Sequence, residues 1–192
     1  MAKKYEFQPD KPYATWLSKL QLTKLQQKQV LKWTLYALIL LILSVLQDVV
    51  LCRLRLWGGT TDLLPCAIFT ICLMEGTQRG CVFSLVASIF YLLSGTSPGT
   101  HILVLITLLS VLVTALQQTY LHKGFLATLL SAVAAMAVYE SAIFGFCLLI
   151  SKVTIDRFTG FMVPVVLSFV VIPVIYPFAK AISTIGGESW KE

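Results

Sequence analysis

Glu140 is the residue of this chain whose position could do chemistry. It lies inside Phe125–Ile150, a 26-residue apolar run in which it is the sole charge. A carboxyl in such a run is costly to hold in lipid, and groups of this kind often move protons or cations. No Lys or Arg lies at comparable depth in the sequence. Two readings stand side by side. One is proton or cation handling. The other is a polar clamp that fixes helix positions through Gln47, Gln117, Tyr139, Ser141 or a group on another protein. With one acid and no second relay group, the clamp is the stronger expectation, and Tyr139 and Glu140 are the expected buried polar pair.

Other chemistry finds little support. No nucleophile–base pair, phosphate-binding glycine loop or metal-ligand spacing is visible. There are five cysteines, an odd number, and no CxxC. Cys66, Cys72, Cys81 and Cys147 fall in or beside apolar stretches, which fits packing better than disulfides or metal. His101 and His122 flank different segments. The sequence therefore predicts no enzyme, no cofactor and no metal site.

The elements that must position Glu140 are membrane helices. The chain has 192 residues, 57% of them hydrophobic and 12% charged. Lipid offers exposed backbone groups no partner, so the spans must be helical. A bilayer core about 30 Å thick needs roughly 20 apolar residues at about 1.5 Å each. The expected fold is an all-α integral membrane bundle, with a soluble catalytic domain excluded. Candidate spans are Trp33–Cys52, Leu63–Met74, Cys81–Leu93, His101–Gln117, Phe125–Ile150 and Phe161–Ala179. The second and third are short. They form either two thin spans or a hairpin that enters and leaves on one face, and two true spans, giving six, is the preferred reading. Pro173 is placed to kink the last span.

The expected division is a basic cytoplasmic segment over 1–32, a transmembrane domain over 33–180 and a cytoplasmic tail over 181–192. Seven lysines lie in 1–32. The first apolar run begins too late for a cleaved signal peptide. With six spans and the N-terminus inside, eleven positive residues fall on the cytoplasmic side and four outside, so both termini are expected inside. The net charge of +6 is read as a retention signal that also touches anionic membrane lipid, not as a nucleic-acid surface. Tyr13–Lys32 reads equally as a helix lying on the inner leaflet or as a solvated basic tail.

Small residues at four-residue spacing mark expected packing faces, for helices within the bundle or for a partner helix. They are Gly80, Ser84 and Ser88 in the third segment, then Ala127, Ser131 and Ala135, with Ser141 and Gly145, in the fifth. Asp62-Leu63-Leu64-Pro65 has the form of a helix start, an Asp cap followed by Pro in the first turn. Asp48 and Asp62 are expected at the outer rim.

From Leu46 to Leu149 the chain resembles the MreD family, the small membrane component of the bacterial cell-elongation machinery. The resemblance rests on Leu56-Trp57-Gly58-Gly59 leading to Asp62 and Pro65, the charged hairpin Glu75–Gly80, the stretch Ile89–Gly99 with Ser94, Gly95 and Gly99, and Tyr139-Glu140. Two positions depart from the family pattern: Tyr91 stands where an Asp is usual, and Pro65 falls later. The resemblance implies a multi-pass protein of the bacterial cytoplasmic membrane. It implies a non-enzymatic scaffold that binds an MreC-like protein. Through that protein it reaches a RodA-type glycosyltransferase, a penicillin-binding transpeptidase and the actin-like filament, in control of cell shape and lateral peptidoglycan synthesis. A rival expectation is the substrate-binding S component of an energy-coupling-factor vitamin transporter, similar in size and fold, with Trp57, Asp62, His101 and Arg157 as candidate pocket residues.

Overall fold

A computed structural model describes residues 24–49, 51, 62–95, 97, 99–120, 124–150 and 153–185. Expectations that fall on 1–23, on 52–61 with Trp57 and Arg53, on His122, Lys123 and Lys152, and on residues beyond 185 lie outside the described residues. The described residues hold six α-helices: α1 Lys24–Val49, α2 Leu63–Glu75, α3 Thr77–Leu93, α4 His101–Tyr120, α5 Phe125–Leu149 and α6 Phe158–Ser183. A 3-10 turn, Ile155–Arg157, leads into α6.

Four of these stretches, Gln26–Val49, His101–Tyr120, Phe125–Leu149 and Ile155–Ser183, are long and apolar enough to cross a membrane. This is a helical membrane protein. Its α1 starts earlier than expected, at Lys24, so the described part of the basic segment continues the first span and is not a separate surface helix. Helix α6 runs unbroken from Phe158 to Ser183 with Pro164, Pro173 and Pro177 inside it.

The short α2 is the axis of the bundle. Its 13 residues extend only about 20 Å, yet all except Met74 are buried. It touches each of the other five helices. A helix surrounded by protein need not match the lipid thickness, because its ends can be satisfied by neighbouring side chains. The other helices form an open ring around it: α1 meets α6, α6 meets α5, α5 meets α4 and α4 meets α3. Between α3 and α1 the ring has a lateral seam.

Two glycines make the α2–α3 hairpin. Gly76 alone joins the helices, at φ 85°, a conformation that favours glycine. Gly80 packs so closely on α2 that a Cβ would lie 3.0 Å from the Cys72 carbonyl oxygen. The predicted polar hairpin Glu75–Gly80 is thus one linking residue, with Thr77–Arg79 already in the first turn of α3.

Candidate functional site: two buried polar nodes

Helix α1 lies against the bundle along a narrow stripe: Lys32, Tyr36, Leu40, Ser44 and Gln47 are buried. Four of the five are polar. Its apolar residues, among them Leu38, Leu41, Ile42 and Val45, point outward. Lipid accepts apolar side chains as readily as a protein core does, so the polar ones go inside, where partners exist.

The first node sits where α2 and α6 end. Lys32 Nζ lies 2.7 Å from Glu75 Oε1, with both side chains almost fully buried. Lys32 also donates to the Ser183 carbonyl at 3.1 Å. One turn on, the Tyr36 hydroxyl donates to the same Glu75 oxygen at 2.6 Å and to the Ala179 carbonyl at 3.4 Å. The C-terminal end of α6 carries partial negative charge, and Glu75 adds a carboxylate at the last residue of α2. A single ammonium on α1 meets both. The other carboxylate oxygen, Glu75 Oε2, is buried without a hydrogen bond.

The second node sits at the opposite end of α2. Gln47 Nε2 donates to Asp62 Oδ1 at 2.9 Å. Its Oε1 accepts the Leu63 and Leu64 backbone N–H groups at 2.9 and 3.1 Å. These are two of the four donors that a helix start leaves open. Asp62 occupies the N-cap position but makes no side-chain cap bond; α1 supplies the cap from across the bundle. Pro65, buried in the first turn of α2, needs no partner for the N–H it lacks. The Tyr91 hydroxyl of α3 donates to Asp62 Oδ2 at 2.9 Å. Asp62 precedes the first residue of α2, and burial pushes its carboxyl up to about 6 against the opposing hydrogen bonds from Tyr91 and Gln47. The half-buried Asp62, which the sequence places at the outer rim, is thus a hydrogen-bonded junction of α1, α2 and α3.

The Tyr139 hydroxyl and Glu140 Oε1 are both buried, and among the described residues neither has a partner in good hydrogen-bond geometry. Tyr139 packs edge-on against Phe69 of α2 at 6.1 Å. The partners proposed for Glu140 from sequence are engaged elsewhere. Gln47 holds Asp62, Gln117 donates to Thr128, and Ser141 bonds the Ala137 carbonyl. Among the described residues no hydrogen-bonded clamp forms at Glu140 Oε1. The clamps are at Lys32–Glu75 and Gln47–Asp62, which the sequence reading did not pair.

The expected packing residues divide. Gly80, Ser84 and Ser88 are buried on the inner face of α3, and Ser131 and Ala135 on that of α5. Ala127 is half-buried and Ser141 is exposed. A Cβ at Gly145 would meet nothing within 4 Å, so Ser141 and Gly145 are not internal contacts. Ser94 bonds the Tyr91 carbonyl at 2.7 Å and, with Gly95 at φ 79°, ends α3. The Gly99 carbonyl accepts the Ile102 N–H in the first turn of α4. Of the rival pocket set, Trp57 lies outside the described residues; Asp62 is bound to Gln47 and Tyr91, His101 lies against Phe146 at 5.2 Å, and Arg157 is exposed in the 3-10 turn.

The chain matches no protein-family model, no curated protein and no solved structure. The reading of its function therefore rests on residues and geometry.

One signal for the nodes was present in sequence. Lys28 and Lys32 are four residues apart, and Tyr36 continues the row into the span. A lysine in helical phase with a buried tyrosine marks an inward face. Tyr91 likewise falls in phase with Gly80, Ser84 and Ser88, the face that packs on α2.

Proposed function

We propose that this chain is a non-enzymatic scaffold of the bacterial cell-elongation complex, of the MreD type. In this reading it sits in the cytoplasmic membrane with both termini inside. It binds a single-span MreC-like protein and through it the RodA-type glycosyltransferase, the penicillin-binding transpeptidase and the actin-like filament. The fold then resembles that of transporter S components. The observation that carries the reading is where the polar groups go. Lys32, Tyr36, Gln47, Glu75, Asp62 and Tyr91 bond one another and helix ends. That use of polar groups favours a bundle that presents a fixed shape to neighbours. The resemblance over Leu46–Leu149 supplies the identity of those neighbours.

Affinity purification from membranes in mild detergent, read by mass spectrometry, tests it. The expected result is recovery of an MreC-like protein with wall-synthesis enzymes. Recovery of transporter ATPases without them would instead establish the S-component reading.

A further inference from the structure

The seam between α1 and α3 is a groove of about 710 Å³. Leu31, Leu38 and Leu41 form one wall and Val82, Val86 and Phe90 the other, all exposed. Its floor is Trp33 stacked on Phe83, ring centroids 5.8 Å apart. The wall from Leu31 to Leu41 is about 15 Å long, room for an acyl chain laid along it.

Charge marks one mouth of this groove. Lys28 lies one turn before Leu31 on α1, and Arg79 one turn before Val82 on α3. Both are exposed, and both sit at the end of the bundle where Lys32 meets Glu75. Glu75 is the sole acid at that end among the described residues, and Lys32 already holds it. Two cations therefore flank the mouth of an apolar slot, with no other acid at that end among the described residues. Such a pair attracts a phosphate headgroup, and such a slot takes an acyl chain.

We propose that the α1–α3 groove is a binding site for an anionic phospholipid, with its acyl chain along Phe83 and Val86 and its headgroup at Lys28 and Arg79. The site stands whether or not the chain is an elongation scaffold. Binding there would cover the one seam in the ring around α2 and brace α1 where protein contacts are fewest.

A photo-reactive amino acid at Val86 of the full chain tests this in vesicles of phosphatidylcholine with a minor share of phosphatidylglycerol. Adducts are identified by mass spectrometry. The same probe at Leu130, exposed on α5, reports bulk lipid. Expected are lipid adducts at position 86 enriched in phosphatidylglycerol over the Leu130 control, the enrichment falling about tenfold in Lys28→Gln/Arg79→Gln. Enrichment equal to the control, or unchanged by the two substitutions, overturns the proposal. Protein adducts at position 86 in place of lipid also overturn it, and identify the occupant as a partner helix or a second copy.

Discussion

Replacing Lys32 by Met isolates what the first node, Lys32 with Glu75, contributes. The substitution keeps a long side chain and removes the ammonium that meets Glu75 at 2.7 Å and the Ser183 carbonyl at 3.1 Å. Glu75 would then be a buried carboxylate with Tyr36 as its single donor. Removing one partner of a buried ion pair costs about 3–5 kcal/mol, most of it the penalty of the stranded charge. Glu75→Gln strands the ammonium instead, though Lys32 keeps the Ser183 carbonyl, so its expected cost lies at the lower end of that range, about 3 kcal/mol. The double variant Lys32→Met/Glu75→Gln strands no charge and should recover most of the loss. Equilibrium unfolding in mixed detergent, followed by tryptophan fluorescence, reads all four proteins. A coupling of about 2 kcal/mol or more between the sites is expected. Losses that simply add, or single variants with wild-type midpoints, would refute the argument that this pair fastens α1 to α2 and α6.

Three further outcomes follow from the geometry. Gln47→Ala removes the group that caps α2 at Leu63 and Leu64 and should cost about 1–2 kcal/mol, with faster hydrogen exchange at those two amides as the specific readout. Gly80→Val places a branched side chain where even a Cβ comes within 3.0 Å of the Cys72 carbonyl; a loss of about 1–3 kcal/mol is expected, against none for Gly145→Val, where the space is open. The Asp62 carboxyl, raised from 3.8 to about 6, should show an Asp62→Asn-sensitive infrared band that titrates near that value. Because the folded value exceeds the unfolded one, any stability tied to this proton is present in acid and is lost as the pH rises through about 6; a band titrating near 4 would contradict the burial argument.

The spans were legible because lipid demands long apolar runs, and α4, α5 and α6 carry them without interruption. The inward faces were harder to read. In α1 the usual rule inverts: Lys32, Ser44 and Gln47 are buried while Leu38 and Val45 are exposed, so apolar periodicity points away from the core. Helix α2 carries no periodicity at all, because it is buried on every side. Glu140 drew notice as the lone acid of a long run, yet its carboxyl has no hydrogen-bonded partner at Oε1. Glu75 attracted none, because it stands beside Gly76 in what reads as a polar turn. The pairs that fasten the bundle, Lys32 with Glu75 and Gln47 with Asp62, join residues from different segments near helix ends. Only the packing of α1 across α2 brings them together. Gly80, Ser84 and Ser88 were legible as a set because four-residue spacing of small side chains has one main use in a membrane, close helix approach.

Reconstitution of the purified chain with a single-span MreC-like protein in lipid nanodiscs addresses the central claim most directly. Size-exclusion chromatography with light scattering should show a defined complex that survives dilution. Two separate species at every ratio, with the chain instead associating with transporter ATPases, would contradict the account.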